Sequence, residues 1–216
     1  MDDPAKRNRL DTYLDRHDLA AVWFARPASF AWLTGGSNVV VADDPIGVAA
    51  AGYDGDAVSV VTDNIEAGRL AEEELPAGTE VTTFEWYETE LRTAIGDRSP
   101  EPAAADIAVS GFDRVDPAEL RQPLTENEID RYRQLGREVA RSVEAACEAA
   151  PGGVTERALA ADLTGALADR GIRGSVVLVG NGDRTQRYRH FTPTDATIDD
   201  YALVSVTAER AGLHVS

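Results

Sequence analysis

Four side chains near the end of this 216-residue chain have types and spacing that bear directly on chemistry: Ser205, Thr207, His214 and Ser216. Residues 202–208 alternate as a strand does, 209–212 can turn, and 213–216 can return antiparallel. With the turn centred on Arg210 and Ala211, Ser205 lies opposite Ser216 and Thr207 opposite His214. One face of the hairpin then carries those four side chains, and the other carries Val204, Val206, Ala208, Leu213 and Val215. Directly opposed side chains on such a ladder have Cβ atoms ~5 Å apart. Two carboxylates at that separation would grip a shared pair of divalent cations, since hard cations take anionic oxygens. Neutral serine hydroxyls do not replace them. The layout is half a metal site with its charged ligands missing.

The elements that must position these residues follow from periodicity and punctuation. Leu10, Tyr13 and Leu14 predict a helix over 4–17. Apolar runs at 20–24, 39–42, 47–52 and 57–62, separated by Asp43-Asp44-Pro45 and Asp54-Gly55, read as strands of a mostly antiparallel sheet. Asp63 can cap a helix running to Leu75; 79–84 reads as a strand, 86–95 as a helix and 106–110 as a further strand. Strands interleaved with helices predict an α/β layer.

A break follows at Asp116-Pro117 and Gln122-Pro123. Thr125 and Glu128 have capping-box spacing, and Ile129, Tyr132, Leu135, Val139 and Val143 form a helical stripe stopped by Pro151-Gly152-Gly153. Thr155 caps a second helix with Leu159, Leu163 and Leu167 on one face, ending at Gly171. Residues 176–179 read as a buried strand, and 180–183 turn out of it with no helix clearly following. Arg184, Arg187 and Arg189 form a basic cluster near His190, read either as a grip for a substrate carboxylate or as pairs for surface acids.

Composition excludes several function classes. The 38 acidic residues against 21 basic ones give a net charge of −17, which repels nucleic acid and anionic membrane. Lys6 is the only lysine. Such a surface fits a halophile, because molar salt shortens the Debye length to ~3 Å and screens self-repulsion. Cys147 is the single cysteine, so no internal disulfide forms; it is expected to be a small buried residue. The first residues carry no signal-peptide core and no apolar run approaches membrane-spanning length, so a soluble, cytoplasmic protein is expected.

From Thr125 onward the order of features resembles the pita-bread peptidase family, which includes methionine aminopeptidase, aminopeptidase P, prolidase and creatinase. The matching residues are Pro151-Gly152 with Thr155-Glu156, His190-Phe-Thr-Pro193-Thr194-Asp195, and the 202–208 strand followed by Gly212-Leu-His-Val-Ser216. Ala28-Ser-Phe-Ala-Trp32-Leu-Thr-Gly35 is similar to an Asn-x-x-Tyr-Leu-Thr-Gly segment of the aminopeptidase P, prolidase and creatinase branch, with Ser29 in place of the Asn. The resemblance implies an α/β fold: a creatinase/prolidase-type N-terminal domain with a mixed sheet over 1–118, then an incomplete pita-bread α+β domain over 119–216.

The resemblance also assigns roles. The family's two metal-binding aspartates fall at Ser205 and Ser216, so those positions are degenerate and no metal or other cofactor is expected, whereas the family binds two divalent ions such as Mn, Co or Zn. The family's glycine two places after the first aspartate is Thr207 here. His190 matches the histidine that donates to the substrate or its intermediate and is the catalytic candidate. By position rather than by resemblance, His214 on the hairpin face of Ser205 and Ser216, and Arg189 beside His190, are candidate substrate contacts. Asp195, Asp199 and Asp200 are read as solvated loop charge. The expectation is a metal-free, catalytically degenerate relative of the Xaa-Pro aminopeptidases and prolidases. Three alternatives stand beside it: an active metallopeptidase when full length, a metal-independent creatinase-like hydrolase using His190, and a non-catalytic peptide-binding or oligomerisation module. The expected partners are a peptide or small-molecule ligand and a second copy of the chain in a homodimer, since a terminal hairpin leaves an open sheet edge.

Overall fold

Helix α1 (Pro4–His17) begins where the Asp3 carboxylate accepts the backbone N–H groups of Ala5 and Lys6, and Pro4 needs no partner for the N–H it lacks. Leu10, Tyr13 and Leu14 form its buried stripe. The computed structural model describes residues 3–122 and 124–216, so Pro123, one of the residues marking the break in the sequence, lies outside the described residues. The chain divides into two units, Met1–Asn127 and Glu128–Ser216.

The first unit is built on six strands: β1 (Ala21–Phe24), β2 (Ala49–Tyr53), β3 (Val58–Asp63), β4 (Glu80–Phe84), β5 (Ala103–Ala105) and β6 (Asp113–Arg114). Their spatial order is β4-β3-β2-β1-β5-β6. Only β1–β2 and β2–β3 pair antiparallel; β3–β4, β1–β5 and β5–β6 are parallel. Those of the 20–62 runs that form strands pair antiparallel as expected, and the parallel pairings of β4, β5 and β6 make the whole sheet mixed, as the resemblance implied. Alternation along β1 sends Val22 and Phe24 into one core with α1 and α2 (Pro27–Thr34), and Ala21 and Trp23 into a second core. That second core is closed by Ala94 and Ile95 of α4 (Leu91–Arg98).

Three expectations change. Residues 39–42 form no strand, and Val40 and Val41 are exposed. The expected strand at 106–110 is displaced to Ala103–Ala105, three alanines that carry no strand signal of their own. Asp106 instead turns inward and accepts the Ala25 N–H at 2.8 Å and the Arg26 N–H at 3.2 Å, tying the end of β1 to the start of α2. Burial pushes the Asp106 carboxyl up, against these N–H bonds and the Ser29 hydroxyl. Trp86 and Tyr87 lie outside α4 and are exposed. After Asp63 the chain forms α3 (Ala67–Arg69) and continues as a π-helical turn, Leu70–Glu74. Asp116 caps α5 (Pro117–Arg121) through the Ala118 N–H.

The second unit packs two helices on one face of a three-stranded antiparallel sheet. Helix α6 (Glu126–Ala149) buries Leu135 and Val139, and α7 (Glu156–Ala168) buries Leu159, Leu163 and Leu167. The strands are β7 (Arg173–Asn181), β8 (Ala202–Arg210) and β9 (Leu213–Val215), in that order. Val206, Ala208 and Val215 face the helices. Val176 and Leu203 are exposed, so the expected fully buried strand at 176–179 is buried on one face only. A short helix, α8 (Gly182–Arg187), does follow β7, with Asn181 as its N-cap. Cys147 is exposed on α6 rather than buried, although nearby protein still raises its thiol pKa. Among the described residues no helix is long and apolar enough to cross a membrane.

Candidate functional site

The hairpin turns one residue later than its sequence pattern implied. Ala211 (φ 50°) and Gly212 (φ 78°) both occupy the left-handed region, as a two-residue turn between right-twisted strands requires. The register is therefore Ala208 opposite Val215, Glu209 opposite His214 and Arg210 opposite Leu213. Ser216 lies beside Thr207, and their hydroxyls hydrogen-bond at 3.0 Å. Ser205 instead pairs with Leu178 of β7. The expected Ser205–Ser216 and Thr207–His214 oppositions are thus corrected. Moving the turn by one residue shifts each pairing by two positions, so every side chain keeps its face. Ser205, His214 and Ser216 are all exposed, while Val206, Ala208 and Val215 of the opposite face are buried.

The donors on this outer face do not fit a divalent metal pair. Ser205, Thr207 and Ser216 offer neutral hydroxyls, which are weak ligands for hard cations. Glu209, the hairpin's own carboxylate, is committed: Oε1 accepts the Gly212 N–H at 2.8 Å and Oε2 accepts Arg173 Nε–H at 3.2 Å. Among the described residues no group of three or more His, Cys, Asp or Glu side chains converges on one point.

His190 stands on the connection between α8 and β8, exposed, with both flanks of its loop pinned. On one flank is Glu156, the first residue of α7 and fully buried. Its carboxylate accepts the Asn181 N–H at 2.8 Å, the Thr194 N–H at 2.9 Å and the Thr194 hydroxyl at 2.7 Å, and forms an ion pair with Arg184. Burial pushes the Glu156 carboxyl up, but these hydrogen bonds and the Arg184 charge outweigh it and hold the pKa below its ordinary value. Arg184 also donates to the Thr192 carbonyl at 3.0 Å. It therefore braces the loop from within and is not available to a substrate.

On the other flank Phe191 is 5 % exposed and lies against Gly180, where a Cβ would come within 2.8 Å of its ring. Gly180 pairs with Leu203, two positions along β8 from Ser205, so Phe191 seats the loop at the end of the outer face. Asp195 forms an exposed ion pair with Arg157 at 2.8 Å, and Asp199 and Asp200 are exposed. Arg187 and Arg189 are exposed beside His190. The structure brings Thr207 and Ser216 into contact; His190 and His214 make no hydrogen bond to either. Glu156 is the residue that sequence reasoning undervalued. Thr155-Glu156 at a helix start reads as a cap, and its partners Asn181, Arg184 and Thr194 lie 25 to 38 residues downstream.

No protein-family model matches the chain, and no curated protein matches it. Solved structures do. Prolidase from Pyrococcus horikoshii OT3 is 17% identical with a TM-score of 0.68, over 94% of this chain and 60% of that one. Prolidase from Thermococcus sibiricus is 15% identical with a TM-score of 0.68, over 100% of this chain and 64% of that one. X-Pro aminopeptidase from Thermotoga maritima MSB8 is 15% identical with a TM-score of 0.65, over 94% of this chain and 60% of that one. The chain thus spans about 60% of the length of these proteins, and over that span its fold is the one that prolidases and X-Pro aminopeptidases share.

Proposed function

We propose that this chain is a prolidase-like protein that binds Xaa-Pro peptides or related small molecules and lacks metal-dependent hydrolysis. One observation carries the reading: Thr207 and Ser216 satisfy each other at 3.0 Å on the face where the fold's metal-binding carboxylates are expected, and Glu209 is committed to the turn. A hydroxyl pair of this kind is neutral at any physiological pH and adds no charge to attract a cation. The outer face of β8, with exposed Leu203 and Ser205 beside the loop that carries His190, offers mixed apolar and polar contacts to a ligand. The test is calorimetric titration of the native protein with Xaa-Pro dipeptides, with proline release followed in the same samples. Saturable binding without release supports the reading; release that depends on added Mn²⁺ overturns it.

A second reading is favoured by the position of His190, exposed on a loop braced at Glu156 and Phe191. There the imidazole serves as acid and base in a metal-independent hydrolysis, holding a proton at one ring nitrogen for the leaving group. Peptide or guanidino-compound turnover that is insensitive to chelator and lost in His190→Ala supports it. We further take the protein to be cytoplasmic, adapted to high salt by its charge of −17, and homodimeric, which sedimentation at molar KCl tests directly.

A further inference from the structure

Arginines in this acidic chain are mostly committed to internal partners: Arg16 to Glu119, Arg157 to Asp195, Arg173 to Glu209 and Arg184 to Glu156. Arg187 and Arg189 are not. Both are exposed, and no hydrogen bond or ion pair joins either side chain to another described residue. They sit with Tyr188 and His190 in four consecutive exposed residues, so at most ~11 Å of backbone separates Arg187 from His190. The Arg184–Glu156 brace and the Phe191 ring on Gly180 fix the two ends of this segment.

We propose that Arg187, Arg189 and His190 form a recognition site for the carboxylate of a small ligand. Guanidinium forks match carboxylate geometry and hold it through paired N–H donors. A loop already held at both ends has less freedom to lose on binding. Phosphate offers the same fork geometry, but a dianion meets twice the repulsion that a monocarboxylate does from a chain of charge −17. Leu203, 46% exposed opposite Gly180, gives the ligand's apolar body a surface next to the loop. For a dipeptide ending in proline the carboxylate is the peptide's own C-terminus. That assignment rests on the peptide-binding reading above; the carboxylate site itself does not.

The experiment follows the His190 ring signals by NMR, identified by their loss in His190→Ala, at constant ionic strength. The probes are glycylproline, glycylproline amide, benzoate and inorganic phosphate. The variants are R187A/R189A and, as a control with the same charge change, R137A/R141A on the exposed side of α6. Glycylproline and benzoate are expected to shift His190, with about tenfold weaker binding for the amide and for R187A/R189A, and with R137A/R141A unchanged. No shift with any probe, equal affinity for acid and amide, tighter phosphate than benzoate, or indifference to R187A/R189A overturns the proposal. Dipeptide binding that ignores both arginines removes the carboxylate site and leaves the peptide-binding reading intact. Benzoate binding through the arginines with no dipeptide binding does the reverse.

Discussion

A carboxylate as deeply buried as Glu156 would be costly if left bare, and here four groups share its charge. Glu156→Ala leaves Arg184, the Asn181 N–H and Thr194 without their acceptor, and is expected to destabilise the second unit by about 3–5 kcal/mol in urea unfolding. The pH dependence follows from the lowered native pKa. The folded state holds Glu156 ionised below its ordinary value of 4.5, so the stabilisation is complete above about pH 4.5 and is lost as pH falls through the lower native value. Glu156→Gln should flatten the stability profile in that acid window and leave the slope above pH 5 unchanged. The residue itself was legible as a helix-start acid. Its role was not, because the groups it binds are adjacent only once β7 and the 190–195 loop have folded onto α7.

At the scale of elements, the hairpin carries the strongest conformational demand. Ala211 holds φ 50°, a region that costs a non-glycine residue ~1 kcal/mol or more, while Gly212 fills the second left-handed position without strain. Ala211→Asn is expected to stabilise the chain by about 0.5–1 kcal/mol, read as a raised unfolding midpoint with unchanged m-value. Gly180→Ala should act in the opposite sense. Its Cβ would meet the Phe191 ring at 2.8 Å, so the ring must move and carry the His190 loop with it. A loss of about 1–3 kcal/mol is expected, together with displaced His190 signals in the NMR spectrum. Helices were the most legible elements, since Leu10, Tyr13 and Leu14, or Leu159, Leu163 and Leu167, repeat at helical spacing and are buried as that spacing implies. Strands were less so. Ala103–Ala105 forms β5 only because β1 and β6 flank it, whereas Val39–Val41, apolar by type, lies in no strand. The hairpin's faces were readable from alternation; its register depended on which residues take positive φ, and the Ala-Gly pair was the available signal.

For the whole molecule the dominant quantity is a net charge of −17 spread over 216 residues. Exposed ion pairs such as Arg16–Glu119 and Arg133–Asp130 contribute little against that self-repulsion. Raising KCl from about 0.1 M to 1 M shortens the Debye length from ~10 to ~3 Å, so the thermal midpoint is expected to rise steadily across that range; a flat or falling midpoint would count against a high-salt adaptation. The parallel pairings of β1 with β5 and β3 with β4 show why the complete sheet order was out of reach of local pattern, since each needs a crossover that no short-range signal specifies. The order of motifs from Thr125 to Ser216 nevertheless pointed to the fold that the solved prolidases share. The proposed absence of a divalent-metal site from this fold, where Ser205 and Ser216 offer only hydroxyls, is decided by titration of the native protein with Mn²⁺, with Xaa-Pro dipeptide present and proline release followed. No saturable binding at micromolar Mn²⁺ and no proline release are expected of the proposed metal-free protein. Stoichiometric Mn²⁺ uptake accompanied by release would contradict that proposal.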